Sequence, residues 1–112
     1  MGNHVISSTQ YKNGQRNGQY IEYYNDTSIS QIGAIMDYKN DLRDGICIVW
    51  YPNGQIRKEE HWSKGRQFGE QKYYYPNGKL ERYIVANKKK WAINKCWDNS
   101  GKPKKCPNYL FE

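Results

Sequence analysis

One phrase occurs twice in this chain, and its spacing constrains the fold more than any other feature. Residues 50–57 read Trp-Tyr-Pro-Asn-Gly-Gln-Ile-Arg, and residues 74–81 read Tyr-Tyr-Pro-Asn-Gly-Lys-Leu-Glu, 24 positions later. Weaker copies lie at residues 23–27 and 97–101. A unit of about 20–50 residues that recurs in tandem predicts modules that stack and share one core, with degenerate terminal units acting as caps.

Each unit reads as a β-hairpin around a tight turn. Proline presets φ near about −65°, asparagine tolerates the second corner, and glycine accepts positive φ. The predicted turn residues are Pro52, Asn53 and Gly54, then Pro76, Asn77 and Gly78, and finally Gly101 in the last unit. Segments rich in β-branched and aromatic residues flank the two clear turns, at 46–51, 56–62, 71–75 and 80–85. These segments predict strands, and no helical periodicity competes with them.

The repeats organise the whole chain as one domain. At 112 residues the chain can fold alone. We expect about four hairpin repeats over residues 12–101, preceded by an N-terminal lead-in and followed by a basic cap at 102–112. The polar, glycine-bearing stretches 39–45 and 63–69 read as connections between hairpins, and Gly45 and Gly69 each precede a turn glycine by nine residues. The expected fold is an all-β antiparallel meander of seven or eight strands.

A family resemblance rests on the same residues. The pattern Lys-Gly-x-x-x-Gly-(x4)-Tyr-Tyr-Pro-Asn-Gly-Lys-Leu from Lys64 to Leu80 resembles the MORN-repeat variant of bacterial antitoxin-like and immunity-like proteins. The similarity extends more loosely over residues 12–101. It implies stacked hairpins in an elongated, twisted, single-layer sheet. It also implies a non-catalytic immunity or antitoxin protein that neutralises a cognate toxin by direct protein–protein binding.

Aromatic residues carry much of the burial that the composition allows. Only 37% of residues are hydrophobic, yet 15% are aromatic and eleven are tyrosine. A tyrosine ring can cover a thin sheet while its hydroxyl stays in water. Since strand residues alternate faces, an aromatic ladder on one face leaves Tyr24, Tyr51 and Tyr75 on the other. We interpret the ladder as packing and the opposite aromatic face as the candidate partner-binding surface.

The positive charge is concentrated towards the C-terminus. Residues 79–105 carry nine lysines and arginines against two acidic residues, whereas residues 1–78 carry nine against eight. Lys88, Lys89 and Lys90, with Trp91 beside them, are further candidate contacts. This end suits RNA or a phospholipid surface as an alternative target, and a merely solubilising end is equally open. No nucleic-acid-binding motif is present, so nucleic acid is an unlikely partner.

Cysteine usage favours a reduced, cytoplasmic protein. The three cysteines are odd in number, and residues 1–4 lack the start of a secretory signal. Cys47 reads as a small buried residue of a strand. Cys96 and Cys106 bracket a turn-rich stretch and could form a disulfide in an oxidising compartment. Zinc-ligand spacing is absent, so we expect no metal and no cofactor, and no apolar stretch is long enough to span a membrane.

Catalytic groups do not assemble in the sequence. His4 lies in a loose N-terminal stretch and His61 at a surface strand end, so neither has a nucleophile to activate. Glu59 and Glu60 are adjacent and therefore point to opposite faces of a strand. We expect a protein that is not an enzyme. Open sheet edges invite strand pairing, so we expect a monomer or a weak homodimer.

Overall fold

Every strand in the described part of the protein belongs to one antiparallel sheet. The structure, a computed structural model, describes residues 4–25, 30–87 and 91–107. Its strands are β1 (His4–Lys12), β2 (Gln15–Asn25), β3 (Ser30–Lys39), β4 (Leu42–Trp50), β5 (Ile56–Ser63), β6 (Arg66–Gln67), β7 (Gly69–Tyr74), β8 (Leu80–Ala86), β9 (Trp91–Trp97) and β10 (Pro103–Lys104).

The sheet follows the order of the chain. Neighbours run β1-β2-β3-β4-β5-β7-β8-β9-β10, and β6 pairs with the end of β5. The molecule measures 42 × 37 × 18 Å, and the short dimension is that of one sheet with its side chains. The all-β prediction is confirmed, but seven or eight strands was too few. The N-terminal lead-in forms a strand that pairs with β2, and β6 and β10 are two-residue strands too short for a pattern to reveal.

Two-residue turns lie along one border of the sheet. Each has positive φ at both central residues, as type I′ hairpin turns require. They are Asn13–Gly14, Asn40–Asp41 and Lys64–Gly65. The stretches 39–45 and 63–69 were predicted as connections, which was wrong for most of their residues. Their polar side chains stand on a sheet that is open to solvent, so polarity did not mark a loop.

Longer turns lie along the other border, at residues 51–55, 75–79 and 98–102. In each turn the first residue donates its N–H to the last carbonyl, at 2.8–2.9 Å, and accepts a bond from the glycine N–H. Asn53 Oδ1 accepts the Gln55 N–H within the first of these turns. Asp98 takes over this role in the last turn, where its carboxylate accepts the Ser100 and Lys102 N–H groups. The hydrogen bond from Ser100 is the main cause that lowers the pKa of Asp98.

Wide bulges repeat along the sheet, each with a glycine at its centre. Gly18, Gly45 and Gly69 have φ of 98°, 118° and 92°. In the middle bulge Asp37 alone faces residues 44–46, because Met36 pairs with Cys47 and Tyr38 with Arg43. The glycine nine residues before the turn glycines Gly54 and Gly78 therefore marks a bulge, where a side chain would require strained backbone.

Valine at Gly54 or Gly78 is expected to lower the free energy of unfolding by about 1–3 kcal/mol. Both glycines have φ of +90°, which a β-branched residue adopts only under strain. The matched control is Gln55→Val, an exposed position beside Gly54, which should change stability by less than about 0.5 kcal/mol. Urea unfolding measures all three, and a Gly78→Val protein as stable as its parent would contradict the assigned turn.

The core is thin and partly polar. The buried hydrophobic residues are Ala34, Cys47, Ile84, Ala86 and Cys96, and the buried polar residues are Glu60 and Gln71. Cys47 pairs across strands with Glu60, and Gln71 with Ile84. Cross-strand partners share a face, so these pairs define one packed face of the sheet, here called the inner face. The opposite side is called the outer face.

Candidate functional site

A buried carboxylate organises the centre of the inner face. Glu60 is only 3% exposed. Its Oε2 accepts the Tyr73 hydroxyl at 2.6 Å and the Gln67 amide at 3.0 Å. Its Oε1 accepts the Trp62 indole N–H at 3.1 Å and lies 3.7 Å from the Lys58 ammonium. These donors come from β5, β6 and β7, so the carboxylate joins two repeats.

The groups around Glu60 are suited to holding the sheet together rather than to reacting. Burial, followed by the hydrogen bond to Glu60, raises the pKa of the Tyr73 hydroxyl. Burial, followed by the charge of Glu60, raises the pKa of the Cys47 thiol to about 11. A thiol with such a pKa is almost wholly protonated at neutral pH, and the thiolate is the nucleophilic form. Both oxygens of the Glu60 carboxylate already accept hydrogen bonds from neighbouring side chains.

Gln71 replaces backbone hydrogen bonding at the bulge between β5 and β7. Its side chain is fully buried. Its Oε1 accepts the His61 N–H at 2.9 Å, and its Nε2 donates to the His61 carbonyl at 3.0 Å. The amide of one side chain thus pairs with the backbone as a peptide group would. This pairing satisfies the His61 N–H, which the bulge would otherwise leave without an acceptor.

Guanidinium groups stack successive repeats on one another. Arg16 lies 4.3 Å from the centre of the Tyr38 ring, and Arg43 lies 4.8 Å from the centre of the Trp62 ring. Arg16 also donates its N–H and Nε–H to Asp41 Oδ1. Hydrogen bonds from Arg16, the backbone one first, lower the pKa of Asp41. The arginine of one repeat therefore packs on the aromatic residue of the next.

The predicted binding residues Tyr51 and Tyr75 contribute to the repeat stack. Tyr51 donates its hydroxyl to the Tyr74 carbonyl at 2.7 Å, and Tyr75 donates to the Trp97 carbonyl at 2.8 Å. The turn asparagines act in parallel, because Asn53 donates its amide to the Pro76 carbonyl at 3.0 Å. Both tyrosines are half-buried. Their role in partner binding stays a prediction.

An apolar patch lies on the outer face near the turn at residues 64–65. It consists of Leu42, Ile46 and Phe68, which are 47%, 45% and 47% exposed. Ile46 pairs with His61, whose carbonyl accepts the Phe68 N–H at 2.9 Å. Leu42 packs so close to Gly65 that an added Cβ would meet its side chain at 3.3 Å. Cys47 and Gln67 point to the inner face. Because successive strand residues alternate faces, their neighbours Ile46 and Phe68 point to the outer face.

The basic end combines exposed lysines with a disulfide. Lys95, Lys102, Lys104 and Lys105 are all exposed. Cys96 and Cys106 form a disulfide with their Cα atoms 5.1 Å apart, so the pairing considered from the sequence is the one that the structure contains. The predicted contacts Lys88, Lys89 and Lys90, and the side chains of Tyr24 and Trp91, lie outside the described residues.

The repeats can be compared with known families. Two segments of this chain match the MORN repeat variant. The matched residues are 43–64 and 69–85, and each MORN segment contains one long turn with its two flanking strands. The match favours a binding module, and the stacked hairpins agree with it. No curated protein and no solved structure was found to match the chain.

In the part of the chain that the structure describes, no helix is long and apolar enough to cross a membrane. Within the same residues, no group of three or more histidine, cysteine or acidic side chains is placed to hold a metal ion.

Sequence reasoning missed the residues that organise the MORN segments. Glu60 was interpreted as an ordinary strand residue, although it occupies the position that Ile84 takes one repeat later. Gln71 similarly replaces Cys47 of the preceding repeat. A polar residue at a position that is apolar in the neighbouring repeat was the available signal. The exposed apolar side chains of Leu42 and Phe68 could not be recognised, because both lie in stretches that were interpreted as connections.

Proposed function

We propose that the protein is a non-catalytic module that binds another protein, and that its partner is a bacterial toxin which it neutralises as an immunity or antitoxin protein. The observation that carries the proposal is the apolar patch of Leu42, Ile46 and Phe68 on the outer face. Large apolar side chains left exposed near one another on one face favour a protein partner, and buried apolar anchors provide most of the energy of protein interfaces. The MORN match supports a binding role.

The absence of catalysis is part of this proposal. Glu60 accepts hydrogen bonds from three neutral donors, and the pKa of Cys47 is raised to about 11. His61 is exposed, and its Nδ1 lies 2.7 Å from the Glu70 carbonyl, which fixes the ring to the backbone. These contacts favour structural roles for the groups that most resemble catalytic residues.

The cytoplasmic location expected from the sequence stays a prediction. The Cys96–Cys106 disulfide weighs against it, because cytosolic reductants keep most thiols reduced. A toxin that acts outside the cytoplasm would suit an immunity protein with this bond. The alternative function, binding of RNA or a phospholipid surface, is favoured by the exposed lysines of the basic end alone.

The test pairs the protein with the product of the adjacent reading frame in its native genome. We expect co-expression of the protein to restore growth of cells that produce this neighbouring product. We also expect calorimetry to detect direct binding between the two proteins. Changing Leu42, Ile46 and Phe68 together to serine should weaken the complex by about 30-fold or more, corresponding to about 2 kcal/mol. The control is Tyr11→Ser, an exposed aromatic residue of β1 away from the patch, which should leave affinity unchanged.

The opposite result would favour the alternative. Changing Lys88, Lys89 and Lys90 to serine should mainly slow association with a protein partner. If these changes abolish all binding, and the parent binds RNA or anionic vesicles with an affinity that falls steeply with salt, the toxin-binding proposal is wrong.

A further inference from the structure

Strand β9 is paired along one side and only at its end on the other. β8 pairs with it from Trp91 to Cys96, whereas β10 pairs only with Cys96 and Trp97. Within the described residues, no strand lies on the outer side of residues 92–95. Residues 92–95 are also exposed. An edge of this kind presents N–H and C=O groups that can template another strand.

Strand alternation identifies the backbone groups at this edge. The Asp98 N–H donates to the Lys102 carbonyl at 2.8 Å, towards β10. In an antiparallel strand, residues two and four positions away direct their N–H and C=O groups to the same side. Cys96 therefore faces β10, where it meets Lys104. The backbone groups of Asn94 point in the same direction as those of Cys96. Because Asn94 lies beyond the end of β10, they point to the open edge.

The surroundings of this edge are positively charged. Residues 91–107 contain four lysines and one acidic residue, Asp98. The carboxylate of Asp98 is used within its own turn, where it accepts hydrogen bonds from Ser100 and Lys102. Lys95, Lys104 and Lys105 line a cleft of about 620 Å³ beside the disulfide. The disulfide joins the segment after β10 to β9, so these cations are held beside the edge.

We propose that the outer edge of β9 binds an acidic, extended segment of a partner protein as an added strand, with carboxylates facing Lys95 and Lys105, which alternation from Cys96 and Lys104 places on the outer face. The inference rests on the proposed protein-binding function and specifies the chemistry of the partner. Backbone hydrogen bonds supply affinity in strand addition, and the neighbouring side chains select the sequence. The short strand β10 is a poorer template for an added strand, because its Pro103 has no N–H to donate to the ladder.

The position of the edge allows one partner to use both surfaces. Leu42 and Ile46 of the patch lie on β4, and β9 lies four strand spacings from it in the order β4-β5-β7-β8-β9. At about 4.8 Å for each spacing, the separation is about 19 Å. An interface of ordinary size, about 800 Å² on each partner, can span this distance.

The test uses the full-length, oxidised protein and short synthetic peptides. The first peptide alternates glutamate with valine. The second keeps the glutamates but replaces valine by proline, and the third replaces glutamate by lysine. We expect the first peptide to shift the NMR signals of the amides at 92–95 and to slow hydrogen exchange of the Asn94 N–H. The two control peptides should bind at least about tenfold more weakly than the first. The proline peptide cannot form a ladder, and the lysine peptide has the wrong charge.

Matched variants test the charge. The Lys95→Glu and Lys105→Glu double variant should weaken binding of the glutamate–valine peptide by about tenfold or more. Lys64→Glu, at the exposed turn between β5 and β6, should leave binding unchanged. Equal binding of the proline peptide or of the lysine peptide would overturn the proposal. Protection of the Asn94 N–H in the free protein would also overturn it, since the edge would then be occupied already.

The two proposals fail separately. If the peptide experiment fails while the changes at Leu42, Ile46 and Phe68 still weaken toxin binding, only the edge proposal is wrong. If the peptide binds as expected but no toxin partner is neutralised, the edge is a strand-binding site and the immunity function is wrong.

Discussion

Replacing Glu60 by alanine is expected to lower the free energy of unfolding by about 3–4 kcal/mol. The change leaves the Tyr73 hydroxyl, the Gln67 amide and the Trp62 indole N–H without their acceptor on the inner face. A buried donor that loses its partner costs about 1–3 kcal/mol, and some of that cost is relieved where water can enter. Urea unfolding monitored by tryptophan fluorescence measures the effect.

Two further variants show whether the effect comes from the buried carboxylate. Glu60→Gln retains one acceptor oxygen and should cost less than Glu60→Ala. Glu59→Ala is the matched control, because Glu59 points to the outer face and accepts a single bond from Tyr74 at 3.2 Å. It should cost less than about 1 kcal/mol. Equal losses at the two glutamates would contradict the organising role of Glu60.

Replacing Gln71 by leucine is expected to lower the free energy of unfolding by about 2–4 kcal/mol. Leucine fills a similar volume but cannot pair with the backbone of His61, whose N–H then has no acceptor at the bulge. The His61 carbonyl keeps its bond from the Phe68 N–H, which limits the loss. Hydrogen exchange should therefore accelerate at the His61 amide more than at amides of neighbouring strands.

Gln55→Leu is the matched control for Gln71→Leu. Gln55 is an exposed glutamine of the turn at residues 51–55, so the same chemical change there should alter stability by less than about 0.5 kcal/mol. A Gln71→Leu protein that unfolds at the same urea concentration as the parent would show that the buried amide contributes no net stability.

Part of the candidate site could be predicted from the sequence, and part could not. The lysines near the last turn were visible as a local excess of charge, because charge is a property of the residues themselves. The exposed apolar patch was not visible, because exposure of Leu42 and Phe68 depends on which strands lie beside them. The hydrogen bonds of the Tyr51 and Tyr75 hydroxyls were not visible either, because their acceptors belong to the next repeat.

The sequence by itself determined the repeat, the hairpin turns and the all-β class, because these depend on backbone preferences of residues close in the chain. Proline, asparagine and glycine at residues 52–54 and 76–78 specify a turn wherever they occur together. The bulge glycines Gly18, Gly45 and Gly69 all have positive φ. The tertiary structure alone decided how Glu60 and Gln71 became buried, because their partners come from other strands across the inner face. It also left the edge of β9 open, since the length of β10 depends on pairing and not on local preference.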